Sequence, residues 1–195
     1  MPLLPLEFYL QKDAVALSEQ LLGKVLCTKI NGTLTSGIIC ETEAYAGIED
    51  KASHAYGDRR TARTETMYQE GGISYVYLCY GIHHLFNVVC NLKDIPHAVL
   101  IRGILPLQGV RTILERRGKR ILNTQSCIGP GKMSQALGIS IELNGVSLTG
   151  NKVWIEDLGL TPEPEQIIVS KRIGIDYAEE DANLPYRIEA FNFSS

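Results

Sequence analysis

The chain has 195 residues, 45% of them hydrophobic and 21% charged. That suits a globular protein with one sizeable core and is marginal for two. A formal net charge of −3 and a pI near 5.8 weigh against a nucleic-acid partner held by overall charge, although a local basic patch can still steer DNA onto an acidic chain.

The N-terminus, MPLLPLEFYL, has no positively charged opening and carries two prolines and Glu7, so no signal peptide is expected. No apolar run approaches the length of a membrane span. Asp13 is placed to cap a short helix whose apolar positions Leu10, Ala14, Leu17 and Leu21 recur at helical spacing, with Gly23 as its stop. KVLCTKI and TLTSGIICETEAY flank Asn31-Gly32, a hairpin signal with a type I′ turn. Residues 73–80 and 84–92 predict a second strand pair around Gly81, and 98–105 a further buried strand. Helices are expected from Pro106 to Gly118 and from Lys132 to Gly138. Without repeats, low-complexity tracts or long linkers, residues 1–195 are expected to form a single α+β domain. Its centre is a curved, mainly antiparallel sheet with helices around it.

Five cysteines, at 27, 40, 79, 90 and 127, are odd in number, widely spaced and without a C-x-x-C. They predict buried free thiols in a reducing cytoplasm rather than a zinc site.

Chemistry concentrates between Glu41 and Asn91. This stretch holds Glu41, Glu43, Asp50 and His54, six tyrosines, and the arginines Arg59, Arg60 and Arg63 among strand-like apolar runs. Carboxylates can activate a nucleophile, aromatics stack flat rings and cations hold phosphate, so a nucleic-acid base is a natural target. Strict strand alternation places residues 39, 41, 43 and 45 on one face, so Glu43 and Tyr45 point the same way. Tyr75 and Tyr77 share a face, and Tyr80 sits at a hairpin tip beside Gly81. Asn87 and Arg102 interrupt apolar runs, where an amide or a guanidinium needs partners.

Each residue also has a structural reading. Glu43 could pair with an arginine, Tyr77 could be core, and His54 could be a hydrogen-bonded loop residue. His83 and His84 look like a metal pair, but adjacent strand residues face opposite sides. GPGK at 129–132 lacks the Walker spacing and the following Ser or Thr, although a helix N-terminus with Lys132 could hold a DNA phosphate. A second basic cluster, Arg111, Arg116, Arg117, Lys119 and Arg120, reads as a solvated face.

The order of these motifs resembles the alkyladenine DNA glycosylase (3-methyladenine DNA glycosylase) family. E-T-E-A-Y is followed by S-H eight residues on, then R-x-T-x-R, Y-V-Y-x-x-Y-G, an Asn six residues past that Gly, and L-I-R. The likeness runs from LLGKVL near residue 21 through GPGKMSQALGI (129–139) to KRIGIDYA (171–178) and LPYR (184–187), nearly the whole chain.

The resemblance implies a base-excision-repair enzyme that flips alkylated or deaminated purines out of duplex DNA and hydrolyses the N-glycosidic bond. Glu43 corresponds to the catalytic, water-activating glutamate. Arg102 and the backbone carbonyl of Ile173 correspond to water-positioning groups. Tyr45, His54 and Tyr77 correspond to the walls that grip the base, Asn87 to a pocket-floor residue that excludes guanine, and Tyr80 to the intercalating wedge. Arg59, Arg60, Arg63 and Lys132 are the phosphate-contact candidates. The family uses no metal or cofactor, and with no lysine at the pocket positions a monofunctional hydrolase is implied.

The partner the resemblance implies is double-stranded DNA containing a damaged purine, without a membrane. A monomer is expected, in the cytoplasm at a bacterial nucleoid or in a eukaryotic nucleus. Arg60 and Ala62 stand where some relatives have Gln and Pro, and His83 and His84 where others carry aromatic or apolar residues; these departures bear on DNA affinity and lesion preference. The sequence leaves two rival readings. One is a non-catalytic damaged-DNA-binding module of the same fold; the other is a metal hydrolase using Glu41, Glu43, Asp50 and His54.

Overall fold

The computed structural model of the chain describes residues 2–194. Two short helices open it, α1 (Leu6–Tyr9) and α2 (Ala14–Gln20). Asp13 caps α2 as its sequence predicts: Oδ1 accepts from the amides of Val15 and Ala16 at 2.8 and 3.1 Å, a contribution of about 1 kcal/mol. Gly23 follows with φ +83°, and a Cβ there would lie 2.2 Å from the Leu160 carbonyl oxygen, so only glycine fits.

β1 (Val25–Ile30) and β2 (Thr33–Ala46) form the first hairpin. Asn31 and Gly32 between them take φ +50° and +77°, as the Asn-Gly signal predicts. β3 (Ile73–Cys79) and β4 (His83–Cys90) form the second. Its turn carries positive φ at both Tyr80 (+50°) and Gly81 (+71°), closed by the Ile82 amide donating to the Cys79 carbonyl at 3.1 Å.

β5 (His97–Gln108) runs longer than its sequence suggests. Pro106 stays in this strand, opposite Gly37, so the next helix, α3 (Val110–Arg117), starts only after Gly109. α4 (Pro130–Leu137) starts two residues before Lys132, with Pro130 at a first-turn position where its missing N–H costs nothing. The remaining strands are short: β6 (Val153–Glu156), β7 (Thr161–Pro162), β8 (Ile168–Ser170), β9 (Arg187–Glu189) and β10 (Phe193–Ser194).

The main sheet runs β3-β4-β5-β2-β1-β6, with β9 pairing to β2 and β8; β7 and β10 pair separately. Every ladder is antiparallel, and the sheet is curved and unclosed, an α+β fold as expected. One face is covered by α2 and α4 and holds the main core, in which Leu17, Phe86, Val88, Val99, Ile101, Met133 and Leu137 pack together. The other face is covered by irregular chain around residues 47–72 and 171–184, which contributes Ala55, Met67 and Tyr68 to one small cluster and Ala52, Ile175 and Ala178 to another. All five cysteines are free; Cys79 is half-buried and the other four are buried.

Two register shifts in the β2–β5 ladder set the polar face. Strict alternation put Ile39 beside Glu41 and Glu43. Instead the ladder slips between Ile39 and Glu41, and Ile39 enters the main core. It slips again where Glu41 faces Gly103 and Thr42 faces Ile101, which leaves Arg102 without a cross-strand partner. Such a bulge bends the strand and re-aims a side chain.

Candidate active site

Residues directly opposite in an antiparallel sheet share a face. Tyr75, Asn87, Leu100, Glu43 and Arg187 lie opposite one another in a row across five strands. The first four line the floor of a cavity of about 640 Å³.

Glu43 is fully buried. Its Oε1 accepts from the Ile173 amide at 2.8 Å and lies 3.3 Å from Arg102 Nη1; its Oε2 accepts from the Tyr45 hydroxyl at 2.9 Å. The bulged Arg102 also donates from Nε to Glu41 Oε1 at 2.8 Å, and Arg187 Nε donates to the same oxygen at 2.7 Å. Burial raises the Glu43 carboxyl above the ordinary carboxylate value, while Arg102, the Ile173 amide and the Tyr45 hydroxyl oppose that rise. This is a carboxylate held in place yet kept basic, which is the condition for taking a proton from water.

The walls are aromatic. The His54 and Tyr77 rings meet edge to face, with centroids 4.8 Å apart. His54 Nδ1 lies 2.9 Å from the Tyr75 hydroxyl. Burial, with Arg63 and Arg59 nearby, lowers the His54 pKa to about 4, so its ring is neutral at physiological pH. The Arg63 guanidinium sits over the Tyr77 ring, 4.7 Å from its centroid. Asn87 donates from Nδ2 to the Tyr75 carbonyl at 3.0 Å, which anchors its amide in the floor.

At the mouth, Tyr80 is 89% exposed on the β3–β4 turn. Its neighbours Leu78 and Ile82 are exposed too, an apolar tip with nothing packed on it. Arg63 and Lys132 line the cavity, and Arg59 is exposed beside it in sequence. Arg60 is differently placed: it bonds both carboxylate oxygens of Glu65 and one of Asp94, and it stacks over Tyr68. The carboxylates weighed as metal ligands are engaged elsewhere as well. Asp50 pairs with Arg172 and Glu41 with Arg102 and Arg187. Among the described residues no three of the His, Cys, Asp and Glu side chains gather as ligands would.

Residues 7–191 match the family model for Methylpurine-DNA glycosylase (MPG). The chain belongs to the methylpurine-DNA glycosylase family. It is 47% identical over 190 residues to a Chlamydia abortus protein, covering 95% of this chain and 96% of that one. It is 43% identical over 189 residues to one from Clostridium perfringens, covering 93% and 92%, and 46% identical over 175 residues to one from Natranaerobius thermophilus, covering 89% and 88%. All three carry the name "Putative 3-methyladenine DNA glycosylase". A methylpurine-DNA glycosylase is an enzyme, so the reading as a non-catalytic module falls away. No helix among the described residues is long and apolar enough to cross a membrane.

The family match spans several site residues that are not evident in the sequence. Ile173, expected to contact the water through its carbonyl, also donates from its amide to Glu43. That amide is held by its neighbour Arg172, which bonds both oxygens of Asp50 and the Ala44 carbonyl. The Arg172 guanidinium also lies between Tyr45 and Tyr186, 4.9 and 5.2 Å from their ring centroids. Tyr75 holds His54, and Arg187 holds Glu41. Glu41 carried a signal, two residues from Glu43 in one strand. Arg172 stands in the KRIGIDYA motif, but its role was not legible there, because its partner Asp50 is 122 residues away.

Proposed function

We propose that this glycosylase receives an alkylated or deaminated purine, flipped out of duplex DNA, in the cavity above Glu43. Lys132, Arg63 and Arg59 meet phosphates and position the duplex without reading sequence. Tyr80 enters the stack where the base has left, and the unstacking of a few kcal/mol is offset by contacts in the cavity. The base lies among Tyr45, His54 and Tyr77. Electron-rich rings favour a methylated, positively charged purine by about 0.5–2 kcal/mol, and a neutral His54 adds no opposing charge. Asn87 on the floor crowds the exocyclic amino group of a normal guanine.

Glu43, with lone pairs left over after its three contacts, takes a proton from a water as that water attacks C1′ of the deoxyribose. The glycosidic bond breaks with its electron pair going to the base. The carboxylate charge favours the oxocarbenium character that develops at C1′. Arg102 and the Ile173 amide fix the carboxylate, and Arg172 acts through Ile173 as a positioning residue. No lysine other than Lys132 lines the cavity, and Lys132 is assigned to phosphate, so the product is an abasic site in an intact strand.

The observation that carries this reading is Glu43: a buried, raised-pKa carboxylate at the floor of an aromatic cavity whose mouth bears an exposed tyrosine. The test uses duplexes with one defined lesion each, 3-methyladenine, 7-methylguanine, hypoxanthine or ethenoadenine, and measures free base and alkali-labile sites. Release of at least one methylated purine, with strands intact until alkali is added, is expected. No release from any duplex, or cleavage without alkali, would overturn it.

A further inference from the structure

A second cavity, of about 450 Å³, lies across the β3–β4 tip from the base cavity. One wall is the hairpin, at Ile82, His83 and His84; the other is the face of α4 at Gly131, Ser134, Gln135 and Gly138. Those four positions recur at one helical repeat, and the small residues among them leave the groove open. His83 packs against Gly131, where a Cβ would meet its ring at 2.7 Å.

Arg116 of α3 closes the far end. One arm is structural: Nη1 donates to Thr35 Oγ1 at 3.1 Å and to the Ala136 carbonyl at 3.2 Å. The Nε–Nη2 edge, the fork that matches a phosphate or carboxylate, has no partner among the described residues. The buried arginines Arg102 and Arg172 and the half-buried Arg187 each meet a carboxylate: Arg102 with Glu41 and Glu43, Arg172 with Asp50, Arg187 with Glu41 and Glu189. Among the described residues, Arg116, its half-buried neighbour Arg117, His83 and His84 have no carboxylate within ion-pairing distance. Partial burial of Arg116 without a counter-charge lowers its pKa. Ser134, 1% exposed, has a hydroxyl with no hydrogen-bond partner. Lys119 and Arg120 continue the positive surface just past α3.

We propose that this groove is a second phosphate-binding site, which holds a backbone phosphodiester of the duplex across the wedge from the flipped base. The proposal rests on the reading that Tyr80 opens the duplex, because that places the flanking strand over Ile82 and His84. It gives the second basic cluster a function, in a chain whose net charge of −3 leaves DNA binding to local patches. A phosphate contact of this kind raises affinity for damaged and undamaged duplex alike and carries no lesion preference.

The test measures binding of Arg116→Gln, Arg116→Lys and Thr35→Val to an undamaged and a single-lesion duplex across 50–200 mM salt, with thermal midpoints recorded. Each phosphate contact contributes a slope of about −0.9 to log K against log salt. Arg116→Gln is expected to lose one such unit, so that its affinity falls about three- to fourfold less over that salt range, and to weaken both duplexes equally. Arg116→Lys and Thr35→Val should keep the slope, and single-turnover base release at saturating enzyme should be unchanged in Thr35→Val. An unchanged slope in Arg116→Gln overturns the site. So does an equal loss of slope in Arg116→Lys, which keeps the charge and would make Arg116 purely structural. A wild type with no preference for the lesion duplex would instead count against the base-cavity reading, so the two failures are distinct.

Discussion

The base cavity and the groove across the hairpin treat charge in opposite ways. At the cavity floor and behind it, Glu43 and Glu41 pair with Arg102, Glu41 also with the half-buried Arg187, and Asp50 with Arg172. In the groove and at the mouth, Arg116, Arg63 and Lys132 have no carboxylate partner among the described residues. Paired buried charges hold geometry, because removing either partner leaves the other uncompensated. Unpaired cations near the surface hold little together, but they meet an anion from outside without first breaking a bond. Exposure alone does not separate the classes. Arg60 is exposed yet committed to Glu65 and Asp94, which makes it the weakest of the phosphate candidates.

The comparison breaks most visibly at Arg102 and Lys132. Arg102→Gln strands the buried Glu43, whose one paired cation it removes, and is expected to lower the unfolding free energy by about 3–5 kcal/mol in urea titration. Lys132→Gln should stay within about 0.5 kcal/mol of wild type while DNA affinity falls and its salt slope loses about one unit. Similar stability losses in both would erase the distinction.

Tyr80→Ala comes next. The side chain touches solvent, so stability should hold, while the dissociation constant for lesion duplex rises by the roughly 1–3 kcal/mol of one base–aromatic stack, about five- to 150-fold. An unchanged constant would place the wedge elsewhere.

The smallest effect is expected at Arg172. On the proposed mechanism base release needs Glu43 ionised, so the rate should rise with pH through the Glu43 pKa, which burial raises above the ordinary carboxylate range. Arg172→Lys cannot bond both Asp50 oxygens and the Ala44 carbonyl together. It should loosen the Ile173 amide, remove part of what lowers the Glu43 pKa, and move the acid limb to higher pH. A slower rate with the limb unmoved would assign Arg172 to folding alone.

The fold was largely legible because local signals carried it. Asn31-Gly32, Asp13 and the strand-like run of 73–80 each fix their own neighbourhood. The end of β5 was misread because Pro106 suggests a helix start, yet Pro106 at that strand's tail sits where no ladder donor is required of it. Strand parity correctly joined Glu43 to Tyr45 but wrongly added Ile39, because a bulge leaves no mark in an apolar alternation. The Arg172–Asp50 pair was invisible for a different reason: its meaning depends on tertiary closure of the 171–184 segment over the sheet, and no spacing encodes that.

The central claim is that Glu43 activates the attacking water. Single-turnover base release by Glu43→Gln, on a duplex with one methylated purine and with binding recorded on the same duplex, tests it most directly. Binding should stay near wild type, while release falls by the roughly 10²–10⁴-fold that a positioned general base supplies. Release at the wild-type rate from a bound complex would contradict it.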